Sequence, residues 1–557
     1  MSEAHLRHWP KGLPQHLSIP AVNLYDNVEV AARRFPDKDF LIFYGGRLSF
    51  GEFRRQCECI AGFLQQRCGV QAGDRVLLDM QNSPQFALAF YAILRAGGVV
   101  VPVNPMNRTA ELAHYVRDSG AQVAFCGQEL LEQVQPLLGQ GLQRVIVAAL
   151  GEYAAGESPI PLPPLLAEPT QELRAQGLVA WREMLDAQLR AGPLVGGPDD
   201  LCVMPYTSGT TGQPKGCMHT HRSVMSTVAA GAEWVRAPSD NTVLAVLPFF
   251  HVTGMQMSLN ASLYRCNTVV LLARWDRDAA AQCVQHWRVG SWQAISTMVV
   301  DFLMNPRIAE YDLSSIWNMG GGGAAMPDAV AARLQELCGI TYMEGYGMTE
   351  TMAPTHINPP GRCKAQCLGI PIFDTHARVV DPLSLREVAQ GEVGEILVSG
   401  PQIMRGYWNQ PQASEQALVE LDGRRWLRTG DLARVDEDGY YFMVDRLKRM
   451  INASGYKVWP AEVETLMYQH PDIVEACVVG TSDAHRGETV KAFVVLRPQA
   501  RGRVSERDIV EWAHGHMAAY KSPRVVEFVD TLPKSGTGKV MWRALQERER
   551  AAQAAAG

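Results

Sequence analysis

The most informative stretch of the chain reads Tyr206-Thr-Ser-Gly-Thr-Thr-Gly-Gln-Pro-Lys-Gly216. Its glycines let backbone N–H groups turn toward one point, its hydroxyls add donors, and Lys215 adds a positive charge. This chemistry is typical of a loop that cradles a polyphosphate. The spacing G-x-x-G-x-x-K-G differs from the Walker loop, which requires G-x-x-x-x-G-K-[ST]. A flexible surface turn is the alternative, and six consecutive Thr, Ser and Gly residues closed by Pro-Lys-Gly argue against it.

Two further glycine-rich stretches match nucleotide-binding patterns only loosely. The stretch before Lys539 fails the Walker pattern because Pro533 stands at the first glycine and Val540 follows the lysine. The stretch Gly320-Gly-Gly-Gly-Ala-Ala325, predicted between a short strand and a helix that starts at Pro327, satisfies a loose dinucleotide pattern. Its four glycines more safely indicate close approach of the backbone to a ligand, or tight packing.

The bulk composition restricts the classes of partner. A chain of 557 residues suggests about three or four compact units, and 47% apolar with 20% charged residues is ordinary for a globular protein. The net charge of −6 and the lack of a basic run argue against a nucleic-acid polymer as partner.

Targeting signals are not evident. The N-terminal sequence has no apolar core of signal-peptide type. The most apolar stretch, 86–103, is interrupted by Arg95 and by Gly97-Gly98, and falls short of the ~20 apolar residues of a membrane span. The twelve scattered cysteines lack paired zinc spacing and are typical of reduced thiols. We therefore expect a cytoplasmic protein without a transmembrane segment.

Short β-branched runs alternate with longer helical patterns along most of the chain. Residues 86–94, preceded by the cap residues Asn82 and Ser83, are predicted to form a buried helix, and 99–103 a strand. This alternation favours α/β layers with largely parallel sheets. Other predicted strands are 267–272, 395–398 and 476–479.

The domain organisation follows from shifts in composition. Residues 152–200 are predicted to form a surface insertion, because proline- and glycine-rich stretches bracket a polar helical stretch over 171–189. A self-contained pattern of about 100 residues follows Asp445. We therefore predict an N-terminal domain over 1–445 and a C-terminal domain over 446–557.

Four motifs follow the phosphate loop: Gly345-Tyr-Gly-Met-Thr-Glu350, Trp426-Leu-Arg-Thr-Gly-Asp431, Asp445-Arg-Leu-Lys448 and Pro533-Lys-Ser-Gly-Thr-Gly-Lys539. With them, roughly residues 30–545 resemble the adenylate-forming superfamily of acyl-CoA synthetases, peptide-synthetase adenylation domains and luciferases, and most of all its fatty-acyl and aryl-CoA synthetases. The resemblance implies a large N-terminal domain of α/β subdomains, a small mobile α+β C-terminal domain that carries the catalytic lysine, and an active site at their junction.

The resemblance implies an ATP site whose parts make physical sense. The ring of Tyr346 can stack on adenine, Thr349 can donate to the α-phosphate, and Glu350 with Thr207 would hold Mg²⁺, which prefers hard oxygen ligands. A tyrosine between glycines is by itself more often a packed turn, and the family match reverses that balance. The positions assigned to ATP or AMP are Thr207, Ser208, Gly209, Thr210, Thr211, Gly212, Lys215, Gly323, Ala324, Ala325, Gly345, Tyr346, Gly347, Thr349, Asp431, Arg446 and Lys539.

The resemblance also implies roles around the ribose and the reacting groups. Asp431 would accept hydrogen bonds from both ribose hydroxyls, and Arg446 would reach the same ribose. An exposed ion pair with Asp445 is the alternative for Arg446. Lys539, together with Thr349 and Glu350, would stabilise the charge that develops as carboxylate and α-phosphate meet. No general base is needed, because the carboxylate is already ionised.

Two further groups of residues are implied for coenzyme A and for the acid. Rotation of the C-terminal domain would exchange Lys539 for a second face, with the hinge at Lys448 and the pantetheine tunnel near Gly455 and Lys457. Glycines in the acyl pocket would leave space for an elongated apolar acid, and His251 would shape the pocket without acid–base chemistry. The acyl pocket residues are His251, Met298, Met319, Gly320, Gly321 and Gly322.

Three interpretations of the activity stay open. The first is a medium- or long-chain fatty acyl-CoA synthetase that uses ATP, Mg²⁺ and coenzyme A, and the second is an aryl or aryl-alkyl acid–CoA ligase. The third is an adenylating enzyme that loads a carrier-protein thiol. A peptide-synthetase domain is disfavoured because no Asp or Lys is evident as counter-charge for an amino acid. A non-enzymatic binding module is disfavoured because no nucleotide or catalytic position is lost. A homodimer is left open.

Overall fold

The computed structural model describes residues 4–207, 213–323, 325–453, 456–483, 487–534 and 540–556. The chain divides into two compact units. The large unit comprises Met1–Ala377, Val398–Leu427 and Asp438–Tyr440, and the small unit comprises Arg378–Leu397, Arg428–Glu437 and Tyr441–Gly557. The predicted α/β class with a large N-terminal and a smaller C-terminal domain is confirmed. The predicted boundary between residues 445 and 446 stays a prediction.

A seven-stranded sheet forms one layer of the large unit. All its pairings are parallel except that of His219–Thr220 with Leu201–Val203. The predicted strand over 99–103 is confirmed, since Val99–Pro102 lies inside this sheet. In spatial order the strands are His219–Thr220, Leu201–Val203, Val99–Pro102, Arg75–Asp79, Val123–Gly127, Arg144–Ala148 and Leu178–Ala180.

A nine-stranded sheet forms a second layer of the large unit. Its central pairings are parallel and the pairings at both ends are antiparallel. The strand predicted over 267–272 is confirmed within it. In spatial order the strands are Ile370–Pro371, Ala353–Ile357, Met343–Met348, Asn318–Gly322, Ser291–Gln293, Thr242–Ala245, Thr268–Leu271, Asp39–Phe43 and Gly46–Ser49.

The buried helix predicted over 86–94 is confirmed as Pro84–Arg95. Ser83 Oγ caps it by accepting a hydrogen bond from the Phe86 N–H at 3.1 Å, and proline occupies its first turn. All its residues are buried. The ring of Tyr91 packs against the ring of Phe53, which belongs to a neighbouring helix, and the two ring centres are 5.9 Å apart. Such burial on all sides explains why the pattern is apolar throughout rather than amphipathic.

The remaining helices surround the sheets. In the large unit they are Asp26–Arg34, Phe50–Gln66, Thr109–Ser119, Leu131–Val134, Pro164–Ala167, Trp181–Asp186, His221–Val235, Ala261–Tyr264, Arg277–Trp287, Ser296–Leu303, Asp328–Cys338 and Pro411–Ala417, with a π-helix at Gly254–Asn260. Short 3-10 turns are Ala4–His8, Gln128–Leu130, Gln135–Leu137, Leu150–Tyr153, Ile308–Glu310, Thr349–Thr351, Leu447–Arg449 and Pro498–Ala500.

The small unit is built on a mixed sheet of its own. Strands Ile473–Asp483 and Gly487–Leu496 form its antiparallel centre, and Val525–Phe528 adds a parallel edge. Strands Ile451–Ala453 and Tyr456–Val458 complete it, and the helices are Pro460–Met467, Glu506–His516 and Trp542–Ala556. Further strands of the chain are His376–Val380, Gly394–Ser399, Leu418–Leu421, Arg424–Val435 and Tyr441–Arg446. The predicted strands 395–398 and 476–479 are confirmed.

The segment 152–200 differs from its prediction. In place of one polar helix over 171–189, it contains the strand Leu178–Ala180 and the short helix Trp181–Asp186. The strand extends the seven-stranded sheet, and Trp181 is 1% exposed in the main core of the large unit. The expectation of a pure surface insertion is therefore wrong for this part, because pairing with the sheet overrides the local polar pattern.

Throughout the part of the chain that the structure describes, we find no helix both long and apolar enough to cross a membrane. All twelve cysteines are thiols, and nine of them are buried.

Candidate active site

The ends of the predicted phosphate loop form a two-stranded antiparallel ribbon. Tyr206 pairs with Gly216, and Thr207 pairs with Lys215. The register therefore places Thr207 and Lys215, predicted to contact the metal and the phosphates, directly opposite each other. The tip of the loop lies outside the described residues, and its predicted phosphate contacts are Ser208, Gly209, Thr210, Thr211 and Gly212.

The base of this ribbon is anchored by one helix of the large unit. The Tyr206 O–H donates to Asp118 Oδ2 at 2.6 Å, and the Trp408 indole N–H donates to the Asp118 carbonyl at 2.9 Å. His114, one turn earlier, lies with Nε2 3.0 Å from the Pro214 carbonyl. These contacts fix both ends of the phosphate loop, and neither Asp118 nor His114 lies in a motif that sequence analysis singled out.

The predicted metal ligand Glu350 and the phosphate-loop lysine meet at one tyrosine. Glu350 is 6% exposed, and the Tyr407 O–H donates to its Oε1 at 2.8 Å. Lys215 Nζ lies 5.1 Å from the centre of the Tyr407 ring, a distance suited to a cation–π interaction. Burial and the nearby Glu350 charge raise the pKa of Tyr407, so the phenol keeps its proton and donates.

The adenine motif lies on the strand Met343–Met348. Tyr346 stands opposite His356 on the neighbouring strand, and the two ring centres are 5.7 Å apart. Burial lowers the pKa of His356 to about 3, so the imidazole is neutral at physiological pH. Tyr346 is thus half-buried with one side fixed by a neutral ring, and Thr349 begins a 3-10 turn directly after the strand.

A carboxyl group links this motif to the second adenine segment. Glu344 accepts hydrogen bonds at Oε1 from the N–H of Met326 at 3.3 Å and of Gln366 at 3.1 Å. Burial raises the pKa of Glu344 to about 7. Gly323 has φ +90, a conformation that favours glycine, and Ala324 lies outside the described residues. Glu344 therefore holds the end of the segment predicted to line adenine.

The predicted ribose ligands are neighbours in the small unit. Asp431 and Arg446 are opposite each other on antiparallel strands, and Arg446 Nε lies 2.9 Å from Asp431 Oδ1. Asp431 is 1% exposed. The alternative of an exposed ion pair between Arg446 and Asp445 is wrong: Asp445 is buried and accepts the backbone N–H of Arg446 at 2.6 Å.

A buried glutamate orders the turn before Asp431. Glu395 is 1% exposed. Its Oε2 accepts a hydrogen bond from Arg428 Nη2 at 2.6 Å, and its Oε1 accepts one from the Gly430 N–H at 3.0 Å. Thr429 Oγ1 in turn accepts the Asp431 N–H at 3.1 Å. Gly430 has φ +68 at this turn. Glu395 is not apparent as a site residue from the sequence, because its effect on the motif depends on a contact across strands.

The predicted hinge residue Lys448 lies between two side chains that form hydrogen bonds with the helix Pro460–Met467 of the small unit. Asp445 Oδ2 accepts the Ala461 N–H at 2.7 Å, and Arg449 Nη1 donates to Glu464 Oε2 at 3.3 Å. Burial raises the pKa of Asp445, an effect that the Arg449 charge opposes. Lys448 lies between them in the turn Leu447–Arg449, and its side chain lies outside the described residues.

Several predicted residues of the small unit belong to the part of the chain that the structure does not describe. Lys539 and Gly455 lie outside the described residues, as does the side chain of Lys457. Lys534 and Val540, which flank the residues outside the description, form an antiparallel bridge.

The predicted acyl residues are spread over several elements of the large unit. His251 is half-buried, and its Nδ1 accepts the Thr253 N–H at 3.3 Å. Met298 is half-buried on a helix and Met319 is fully buried on a strand. Their role in an acyl pocket stays a prediction.

The prediction that three glycines leave space for the acid is wrong for this part of the chain. Gly320, Gly321 and Gly322 lie inside the strand Asn318–Gly322 instead of after it. A Cβ at Gly321 would lie 1.9 Å from the Ala294 carbonyl oxygen, and one at Gly322 would lie 2.2 Å from the Gly345 oxygen. Neighbouring backbone already fills the space in those directions, so the absent side chains allow close strand packing rather than a channel.

The donor set suits a magnesium–polyphosphate complex. Among the residues that the structure describes, no cluster of three or more His, Cys, Asp or Glu side chains could hold a metal ion alone. Mg²⁺ characteristically uses one or two protein oxygens together with substrate phosphates and water. The buried carboxylate of Glu350, which contacts Tyr407 together with the Lys215 ammonium, matches that requirement.

Comparison with known proteins gives a consistent result. The chain matches the AMP-binding enzyme family over residues 28–408 and the AMP-binding enzyme C-terminal domain over 462–539. A long-chain-fatty-acid–CoA ligase of Bacillus subtilis is 34% identical over 98% of both chains, and a feruloyl-CoA synthase of an Amycolatopsis species is 34% identical over 93% of this chain and 97% of its own. The crystal structure of the anthranilate CoA ligase AuaEII in complex with anthranoyl-AMP is similar with a TM-score of 0.83 and 26% identity, over 97% of this chain and 99% of that one.

These matches extend over both units and include every predicted motif up to Lys539. Relatives named as CoA ligases match the chain over nearly its whole length, which confirms the predicted class of AMP-forming acyl-CoA synthetase. The chain therefore belongs to the AMP-binding enzyme family, and the predicted adenylate-forming superfamily is confirmed.

Proposed function

We propose that this chain activates a medium- or long-chain fatty acid with ATP and transfers the acyl group to coenzyme A. In the first step a carboxylate oxygen of the acid bonds to the α-phosphorus of ATP, and pyrophosphate leaves. In the second step the thiol sulfur of coenzyme A bonds to the acyl carbon, AMP leaves, and the thiol proton goes to solvent. The two steps share one acyl-adenylate intermediate.

One observation carries the first step: Glu350 and Lys215 both contact Tyr407, and Lys215 pairs with Thr207. This arrangement offers a carboxylate and a hydroxyl for Mg²⁺ and an ammonium for the phosphates. Mg²⁺, when bound, supplies charge neutralisation on the phosphate oxygens. Thr349 donates to the α-phosphate, and Tyr346 stacks on adenine.

The small unit supplies the ribose and transfer residues of the proposal. Asp431 accepts from the ribose hydroxyls, and Arg446, paired with it, reaches the same sugar. Lys539 stabilises the charge shared between the acid and the α-phosphate during adenylation. For thioester formation, Lys448 is the hinge, and Gly455 and Lys457 belong to the face that admits coenzyme A.

The choice of acid rests on relatives and composition. The Bacillus relative is named for long-chain fatty acids, and the acyl residues of the proposal are mostly apolar. An aryl acid is the second candidate, because the relative named as a feruloyl-CoA synthase is equally identical to this chain. A carrier-protein thiol in place of coenzyme A is the third.

A pyrophosphate-release screen tests the proposal. The enzyme is given ATP, Mg²⁺ and one acid at a time, from short to long saturated acids and from benzoate to hydroxycinnamates, with and without coenzyme A. We expect the highest kcat/KM with a medium or long saturated acid and acyl-CoA as product. A maximum with a hydroxycinnamate would favour the second candidate. Adenylate that accumulates in the presence of coenzyme A would favour the third.

Cellular location and assembly are part of the same proposal. Twelve thiols without a disulfide among the described residues suit a reducing compartment, and we propose the cytoplasm. Fractionation of cells tests this. A homodimer stays a prediction, which light scattering of the purified protein checks directly.

A further inference from the structure

The segment that carries Tyr407 is fixed against both halves of the phosphate-binding region. The Met404 N–H donates to the backbone carbonyl of Glu350 at 2.9 Å, and the Trp408 N–H donates to the Gly216 carbonyl at 2.8 Å. The segment 404–408 is therefore tied at one end to the predicted metal ligand and at the other to the phosphate ribbon. The backbone position of Tyr407 is determined by both.

The side chain of Tyr407 repeats this link. Its O–H donates to Glu350 Oε1 at 2.8 Å, and its ring lies 5.1 Å from Lys215 Nζ. Tyr407 also faces Cys217 in an isolated antiparallel bridge, directly after the ribbon. One residue thus contacts a carboxylate through its hydroxyl and an ammonium through its ring face.

A carboxylate with one oxygen held by a phenol has a defined orientation. Glu350 has several side-chain torsions, and a hydrogen bond at Oε1 selects among them. Outer hydrogen bonds to ligating carboxylates characteristically change metal affinity by about 10–100-fold. The ring face limits in the same way where the Lys215 ammonium can lie, because the attraction is strongest above the ring.

We propose that Tyr407 is a positioning residue that orients the Glu350 carboxylate toward Mg²⁺·ATP and sets the Lys215 ammonium beside the same phosphates. The proposal rests on the proposed function, since it assigns Glu350 to the metal. Tyr407 touches neither the acid nor the adenine in this scheme. Its effect is therefore specific to the affinity for metal–nucleotide and independent of which acid is used.

The hydroxyl can be removed without the ring. Tyr407→Phe deletes the hydrogen bond to Glu350 and keeps the contact with Lys215. Tyr153→Phe is a matched control: Tyr153 is also half-buried in the large unit, and its O–H donates to Gln56 Oε1 at 2.5 Å. Both variants lose a phenol hydrogen bond to a side-chain oxygen, and Tyr153→Phe also loses the one that its oxygen accepts from the Trp181 indole N–H at 3.1 Å. A general cost of such losses therefore appears at least as strongly in the control.

The measurement is Mn²⁺ binding, followed by the electron paramagnetic resonance signal of free Mn²⁺, with a non-hydrolysable ATP analogue and no acid. We expect Tyr407→Phe to weaken Mn²⁺ binding roughly 10- to 100-fold and Tyr153→Phe to leave it within about twofold. Thermal unfolding verifies that each variant is folded. An unchanged Mn²⁺ affinity in folded Tyr407→Phe overturns the proposal.

A double-mutant cycle tests the route of the effect. In a Glu350→Gln background, Tyr407→Phe should change Mn²⁺ affinity by less than about twofold, because the group that it positions is gone. An equal loss in both backgrounds overturns the proposal by showing that Tyr407 acts elsewhere. The proposed function fails separately: a wild-type enzyme that binds Mn²⁺ with the nucleotide, yet releases pyrophosphate with no acid, would contradict the ligase and leave the role of Tyr407 standing.

Discussion

The ring of His219 holds the backbone of Thr349, with Nε2 2.8 Å from the Thr349 carbonyl oxygen. His219 is fully buried, and burial lowers its pKa to about 4. The imidazole is therefore neutral at physiological pH, and an Nε2–H group donates to the carbonyl. The residue proposed to contact the α-phosphate is thus fixed by a group whose charge stays constant over the working pH range.

His219→Ala should raise the KM for ATP roughly tenfold, because it leaves the Thr349 carbonyl without this donor and opens space beside it. His219→Gln should recover part of the loss, because its amide can donate to the same oxygen. ATP-dependent pyrophosphate release measures both variants. The pH dependence of kcat/KM for ATP is a second test. A change in kcat/KM near pH 6.5 that is present in the wild type and absent in His219→Gln would contradict the neutral, positioning role.

A second prediction concerns the turn before Asp431. Glu395→Gln keeps an acceptor for the Gly430 N–H but loses the charge that holds Arg428. We expect the KM for ATP to rise about three- to tenfold, with the KM for the acid unchanged, because the turn positions the proposed ribose ligand. Steady-state kinetics with each substrate varied in turn measures this.

Glu58→Gln is a suitable control for that variant. Glu58 pairs with Arg95 Nε at 2.5 Å in the large unit, so the substitution also removes a carboxylate from a buried arginine. It should lower thermal stability without changing the KM for ATP. If both variants change that KM equally, Glu395 has no special relation to the nucleotide.

Local signals explain why much of the fold was predictable. The helix Pro84–Arg95 has a serine cap, a proline in its first turn and a continuous apolar run, and the strand Val99–Pro102 is β-branched. The strand Leu178–Ala180 has no such signal: it is three residues long and is stabilised by pairing with Arg144–Ala148. A polar neighbourhood therefore suggested a helix where tertiary pairing selects a strand.

The site was predictable only where its residues lie in compact motifs. Glu350 and Lys215 stand in such motifs, and family resemblance identified them. Tyr407 was missed because its partner Glu350 is 57 positions away, and His219 because Thr349 is 130 positions away. The side chains that orient a site belong to the three-dimensional neighbourhood, and no spacing rule in one sequence reveals them.

The third prediction follows from the titration of Glu344. Its pKa is raised by burial from 4.5 to about 7 in the folded chain. Between these values the folded state binds more protons than the unfolded state, so stability falls as the pH rises through that window and is level above about pH 7. The effect over the whole window is about 3 kcal/mol.

Glu344→Gln should remove this dependence, because an amide can accept the same N–H groups without ionising. The difference in thermal stability between the variant and the wild type should therefore be more favourable to the variant at about pH 8.5 than at about pH 5.5. Scanning calorimetry at the two pH values gives the comparison. A stability difference between the two proteins that is the same at both pH values would show that Glu344 does not titrate in this range.

The fourth prediction concerns Gly321, which was expected from the sequence to leave space for an elongated acid. Because a Cβ at Gly321 would overlap the Ala294 carbonyl, Gly321→Ala should destabilise the large unit by about 1–3 kcal/mol. Gly156→Ala is the matched control, since no atom lies within 4 Å of its Cβ position, and it should change stability by less than about 0.5 kcal/mol. A stable Gly321→Ala enzyme that simply prefers shorter acids would restore the channel interpretation.

The last prediction separates the two steps of the reaction and concerns residues of the small unit that sequence identified. Lys539→Ala should fail with acid plus ATP yet make thioester from supplied acyl-adenylate, because its charge matters only while carboxylate and phosphate converge. Gly455→Leu should do the reverse, releasing pyrophosphate and retaining adenylate, because a side chain would obstruct the thiol. Lys448→Pro should resemble Gly455→Leu, since proline fixes φ near −65° and restricts a hinge. Each half-reaction is assayed alone, with folding checked by thermal unfolding. Equal loss of both steps in all three folded variants would mean that one conformation serves the whole reaction.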